Sequence, residues 1–287
     1  MSEFLSIYKW AIAASAMMAP ALALVGCHLA ARDKAMQTLC IGQGASFGVL
    51  VGLGLLKMLD ASEDLQHFAP FVFAAAFSIG TYYFGERLVS RRGASRNTFY
   101  TAIFGSLLAL SSLICSIFPP LENHMTQVFF GDLATLSDKE AWVTLLLAIV
   151  VLFVMVNSWR KLSKQSFLIA IFGEKVARRQ SRIFQIAVNF FFLLVVAFSV
   201  QFLGFLFTVA LLFLPTVIVS GLPLRSLLKH YGVVVVLASL STVSGFLISL
   251  YFSRLPTVPT IVFLLIVGAG SSFFLGERHL HTKNTAA

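Results

Sequence analysis

The chain has 287 residues, of which 58% are hydrophobic and 11% charged, and its formal net charge is +9. Soluble domains carry about 25% charged residues, so most of this apolar surface needs a solvent other than water. That excludes an ordinary soluble enzyme, and it makes membrane topology a better source of the positive charge than nucleic-acid binding, so no nucleic acid is expected as a partner.

Taken in chain order, apolar segments lie at roughly 11–30, 43–59, 68–85, 98–118, 141–158, 183–200, 203–220, 231–252 and 259–275. Runs of about 20 apolar residues can cross the hydrocarbon core of a bilayer. These runs are too long and continuous for barrel strands, and helices satisfy their own backbone polar groups in lipid. The expected fold is all-α: a polytopic transmembrane helical bundle of about nine spans, forming one domain over 1–287. The weakly charged flank MSEFLSIYKW before the first run reads as the start of a retained helix, not a cleaved signal.

The connections alternate in charge. Five of them are basic: 32–34, 85–96, 160–182, 225–230 and the tail 276–283. They hold all of the 21 Lys and Arg except Lys9, Lys57, Lys139 and Arg254. The other connections hold most of the acids, including Asp60, Glu63, Asp64, Asp132, Asp138 and Glu140. Lys and Arg collect on the cytoplasmic side. The N-terminus is therefore expected outside and the C-terminus in the cytoplasm, with the basic face beside anionic membrane lipids or a cytoplasmic partner.

Local signals refine the segments. Ser137 precedes Glu140 by three residues, a capping box opening the fifth span. The join SVQFLGFL between the sixth and seventh spans is too short for a loop in water, so a tight turn or a broken helix is expected there. Gly44, Gly48 and Gly52 recur every four residues in the second span and leave one face bare. Such a face serves close helix packing or lines a pore. Cys27, Cys40 and Cys115 lie in or beside apolar runs with no zinc or disulfide spacing, so they read as small core residues.

Catalytic chemistry is sparse. The sequence has no GxxxxGK[ST], no HExxH and no GxSxG, so no ATP site of its own and no catalytic residue is expected. His124 and Asp132 stand eight apart in an outer segment without an obvious third group. His28, His67 and His230 read as interfacial polar residues, and HLH at 279–281 as a solvated tail. The span centres carry almost no ionisable groups, whereas an ion-driven secondary carrier needs them.

Three stretches in order carry a family resemblance: VFFGDLATLSDKEAW (128–142), QFLGFLFTVALLFLPTVIVSGLPLRSLLK (201–229) and LPTVPTIVFLLIVGAGSSFFL (255–275). Together they resemble the membrane permease subunit of bacterial ABC importers for zinc, manganese and iron. The resemblance implies a multi-pass protein of the bacterial inner membrane. It would work as a homodimer or a heterodimer with a second permease, over a cytoplasmic ATPase subunit that uses ATP, beneath an extracytoplasmic solute-binding protein. It also implies a coupling helix at about 221–232, with Pro215 bending the seventh span, Gly221 ending it in a left-handed conformation, and Pro223 in the first turn of the next helix. Leu224, Arg225, Leu228 and Lys229 would then contact the ATPase, as would 171–182. By the same resemblance, Asp132, His124, Pro256 and Pro259 fall on the outer face toward the binding protein, while Gln43, Gly44, Gly48 and Thr208 are candidates for lining the pore. The chain departs from the family in one respect. The family's acid and histidine in the second span match Leu39 and Gln43, its acid before the fourth span matches Asn97, and one subgroup's histidine matches Gly105. The metal ligands are therefore unknown. Zinc is the first expectation for cargo, manganese or iron the next, and a metal chelate or other small solute the alternative.

Overall fold

The computed structural model describes residues 2–59, 63–92, 95–131, 133–172, 182–222, 224, 226–252 and 254–268. Among them it is helical throughout, with no strand. The helices are α1 (Ser2–Ala31), α2 (Ala35–Met58), α3 (Glu63–Arg92), α4 (Arg96–Ile117), α5 (Glu122–Phe130), α6 (Asp138–Phe172), α7 (Arg182–Leu203), α8 (Phe205–Ser220), α9 (Leu227–Tyr251) and α10 (Thr257–Gly268). Each apolar segment read from the sequence overlaps a helix, the last over its described residues 259–268. Ile7–Ala31 of α1, together with α2, α4, α6, α7 and α9, are long and apolar enough to cross a membrane, while α8 and α10 are shorter apolar helices. The short α5 is an addition, because its stretch read only as an outer segment.

Helix ends follow their capping chemistry. Glu140 Oε2 accepts from Ser137 N at 3.0 Å and from Ser137 Oγ at 2.7 Å, and Glu140 N donates to Ser137 Oγ at 3.4 Å. That is the expected capping box. From there α6 runs 35 residues to Phe172. Residues 160–172, expected to be part of a basic connection, are instead its last turns. The stretch has no Gly or Pro between Asp138 and Phe172, and Lys, Leu, Gln and Ala all propagate a helix well.

The chain forms two compact units, each discontinuous in sequence: Met1–Ala30 with Asp132–Lys164 and Ala210–Ala287, and Ala31–Gly131 with Gln165–Val209. In the first unit α1 and α8 approach so closely that a Cβ on Gly26 would overlap the backbone of Leu212. Beside that contact, Cys27 Sγ lies 3.4 Å from Thr216 Oγ1. Trp10 of α1 stacks on Trp142 of α6 at 4.2 Å between centroids. Tyr231 of α9 meets His28 at 5.5 Å and Trp159 at 5.6 Å. Ser249 ties α9 to α10, donating to Leu255 O at 2.7 Å and lying 3.2 Å from Thr257 Oγ1.

The second unit is built around α2, whose most apolar window is 72% buried. Its glycine face is covered by α3: a Cβ on Gly48 would stand 2.5 Å from Phe73 O, and one on Gly52 2.9 Å from the Phe73 ring. The bare face therefore serves packing. Cys115 of α4 packs with Leu50 and Leu121. Cys27, Cys40 and Cys115 are all buried free thiols, as expected of core residues.

Candidate functional site

Two polar features of the second unit stand out against its apolar helices. The first joins α2, α3 and α4 at the end where the basic residues collect. Glu86 of α3 pairs with Arg96 of α4. The same carboxylate oxygen accepts from Tyr100 Oη at 3.0 Å and from Gln37 Nε2 at 3.1 Å. Gln37 Nε2 also lies 3.0 Å from Tyr100 Oη, and Arg96 donates to Gln37 Oε1 at 3.4 Å. The Tyr100 ring lies against Gly85, where a Cβ would stand 2.5 Å from it. Nearby, Arg32 is only 5% exposed although it sits in the basic α1–α2 connection. It donates to Ser166 Oγ at 3.2 Å and to Asn189 Oδ1 at 3.5 Å, with its guanidinium over the Phe192 ring. Buried cations of this kind persist only when paired and hydrogen-bonded.

The second feature is a break between α7 and α8. Leu203 ends one helix, Phe205 begins the next, and Gly204 between them has φ of 89°. Gly131, the C-cap of α5, has φ of 75° and packs against it: a Cβ on Gly204 would stand 2.5 Å from Gly131 Cα. Only glycine takes such a conformation without penalty. Thr208 Oγ1 donates to Gly204 O at 2.8 Å and lies 2.7 Å from Ser199 Oγ, so a hydroxyl pair spans the break. Non-helical backbone at membrane depth requires satisfaction of this kind. The tight turn read from SVQFLGFL is present, reduced to a single residue.

Along α2, between these features, Gln43 is fully buried. Its Nε2 donates to Ser111 Oγ of α4 at 3.4 Å, while its Oε1 accepts no hydrogen bond. Of the other positions matched to the family's acids and histidines, Leu39 is half-buried, Asn97 is exposed, and Gly105 is exposed with open space where a Cβ would be. Among the described residues, no three His, Cys, Asp or Glu side chains come together as metal ligands would.

A model of the ABC 3 transport family matches residues 4–275, nearly the whole chain. The chain belongs to the ABC 3 transport family. It is a membrane permease of the zinc, manganese and iron ABC importer family, a transport subunit and not itself a catalyst. Among solved structures it is similar to PsaBC from Streptococcus pneumoniae in complex with Fab, at 18% identity and a TM-score of 0.76, covering 98% of this chain and 99% of that one. That likeness concerns the fold. A search of curated proteins finds no match.

Against this permease fold the sequence candidates sort unevenly. Gly44 and Gly48 are buried and face α3, with a Cβ on Gly44 3.3 Å from Phe77 O, so within this chain their bare face packs against a helix. Thr208 is buried and engaged in the hydroxyl pair. Pro215 is buried inside α8, which continues through it to Ser220, and the breaks between helices fall at Gly204 and after Ser220. Gly221 is exposed just after the last residue of α8, Ser220. No separate amphipathic helix occupies the described part of 221–232. Leu222 and Leu224 are non-helical, and α9 begins at Leu227 as one continuous helix. Pro223, Arg225 and Asp132 lie outside the described residues. Leu228 and Lys229 are exposed on the first turn of α9, and His124 is exposed on α5. Pro256 is exposed and Pro259 half-buried at the start of α10. The sequence reading missed the Gln37, Glu86, Arg96 and Tyr100 network, whose partners lie up to 63 positions apart. Its one available signal was Glu86, the lone acid in an otherwise basic connection.

Proposed function

We propose that this permease forms the transmembrane path of an importer for a divalent transition metal, zinc first, with manganese and iron as the nearest alternatives. It lies in the bacterial inner membrane with its N-terminus outside and C-terminus cytoplasmic, pairs with a second copy or a paralogue, receives cargo from an extracytoplasmic solute-binding protein, and is driven by a separate ATPase subunit. The observation that carries this reading is the family match over residues 4–275. The gathering of Lys and Arg in every second connection supports the orientation.

The mechanism follows from the polar features. Moving cargo across a helical bundle requires a packing with two discrete arrangements that a ligand can bias. The α7–α8 junction suits that role, because one glycine interrupts the helix while hydroxyls keep the backbone satisfied on both sides. ATPase contact falls on the basic inner connections and on the first turn of α9, where Leu227 and Leu228 are 60% and 67% exposed. A metal chelate is the second reading. The neutral amide of Gln43, a poor ligand for zinc, favours it.

The test is reconstitution with the ATPase subunit and binding protein in vesicles, with ATP hydrolysis and uptake measured for zinc, manganese, iron(II) and a zinc chelate. Zinc is expected to stimulate both most strongly. Equal uptake without ATP would overturn the importer reading, and stimulation by the chelate alone would overturn the bare-ion reading. Leu228→Asp is expected to abolish ATP-driven uptake while the chain still inserts. Undiminished uptake would remove α9 from the coupling path.

A further inference from the structure

The last turns of α3 and the first turns of α7 enclose a cavity of about 690 Å³ within the second unit. Tyr82, Tyr83, Glu86, Arg87 and Ser90 line it from α3, and Gln185, Ile186, Asn189 and Phe190 are among those lining it from α7. The balance of donors and acceptors in this wall is uneven. One Glu86 oxygen, Oε1, already accepts from Arg96, Tyr100 and Gln37. Asn189 Oδ1 accepts from Arg32. Two donors stand out in what remains, the exposed Arg87 guanidinium and the Gln185 Nε2 amide nitrogen, beside the second Glu86 oxygen. Gln185 is only 4% exposed, and its Nε2 has no acceptor. A buried N–H without a partner is costly enough that native structures rarely leave one, so this wall calls for an acceptor-rich, anionic group.

The surroundings decide which anion. Tyr83, Ile186 and Phe190 are 65%, 57% and 49% exposed, so the cavity opens sideways onto apolar surface along the helices. A small inorganic anion has no use for that surface, whereas an amphiphile does. The same end of α3 carries Arg87, Arg91 and Arg92 in sequence, the type of basic cluster that draws acidic lipids, and tyrosines favour the boundary between headgroups and hydrocarbon. We propose that the pocket between α3 and α7 binds the phosphate headgroup of an anionic phospholipid, held by Arg87 and Gln185, with its acyl chains lying along Ile186 and Phe190.

The full chain, purified in detergent, is titrated with dioleoyl-phosphatidylglycerol, dioleoyl-phosphatidylcholine or inorganic phosphate while its thermal unfolding is followed. A ligand that binds only the folded state raises the midpoint. Phosphatidylglycerol is expected to raise it by about 5 °C or more, and the other two by less than half as much. The double variant Arg87→Gln, Gln185→Leu is expected to lose at least half of the phosphatidylglycerol shift, while Arg160→Gln on α6 retains it. An equal response to phosphate alone would make the ligand a free anion and overturn the proposal, as would an equal response to phosphatidylcholine or a full shift in the double variant. A photoactivatable phosphatidylglycerol on the unaltered chain keeps the question answerable if the double variant does not fold. Adducts in 82–90 and 185–193 support the site. Adducts only elsewhere, or crosslinks from Tyr83 to a second copy that exclude the lipid, sink it.

Discussion

α2 and α4 are nearly the same length and have the same mean hydropathy, 1.8, over their most apolar windows, yet those windows are 72% and 17% buried. Hydropathy alone therefore does not say which span is surrounded by protein. Side-chain size does. α2 carries Gly42, Gly44, Gly48, Gly52 and Gly54, and four of these meet close neighbours where a Cβ would stand. α4 carries Gly105, which meets nothing within 4 Å. In lipid there is little hydrophobic drive between helices, so backbones that come close through small residues define the core. Polar residues sort by face: Gln37 and Gln43 of α2 bond to Tyr100 and Ser111 on the one buried side of α4, while Asn97 and Ser106 of α4 are exposed.

The contrast is broken most directly by equal substitutions on the two helices. Gly48→Leu forces a branched side chain against the Phe73 carbonyl and is expected to cost more than the ~1–3 kcal/mol typical of overpacking, so that little monodisperse protein is recovered in detergent. Gly105→Leu is expected to leave yield unchanged and the unfolding midpoint no lower. Similar losses for both would show that α4 is as enclosed as α2. Next in size, Gly204→Ala places a Cβ at positive φ against Gly131 and is expected to cost about 1–3 kcal/mol and to depress uptake more than it depresses yield. If uptake and yield fall together, the junction is structural only. Glu86→Gln removes the partner of Arg96. Because that pair is about a quarter exposed, the loss is expected at ~1–2 kcal/mol, partly restored by Arg96→Met in the same chain. Failure of the second change to restore stability would mean that the network is not coupled. The smallest effect is expected from Gly105→Ala, a gain of up to about 1 kcal/mol from helix propensity alone, read as a slight rise in unfolding midpoint.

Much of this was legible in the sequence wherever the cause was local. The apolar segments, the Ser137–Glu140 cap and the interruption at Gly204 each depend on residues within a few positions of one another. The glycine stripe was legible as a close-packing face, though not the helix it would meet. Long-range pairings were not legible. Gln37, Glu86 and Tyr100 come together only because α2, α3 and α4 pack in one register, and Arg32 is buried by Ser166 and Asn189, more than 130 positions away. Charge counting treated Arg32 as a solvated marker of topology, but desolvation with replacement partners gives it a second role. The expected helix at 221–232 erred for a related reason. The leucine spacing of 224, 227 and 228 fits an amphipathic turn, but from Leu227 onward it is the opening of a long span.

The uninterrupted run of α6 has a geometric consequence. At about 1.5 Å per residue its 35 residues make a rod of roughly 52 Å, some 20 Å more than hydrocarbon thickness requires. A stiff rod that overhangs its bearing magnifies angular error: a tilt of a few degrees at mid-height becomes an ångström or more at the tip. Residues near Phe172 thus sit at the end of a long lever arm, and removing whole turns from that overhang would shorten the arm in steps.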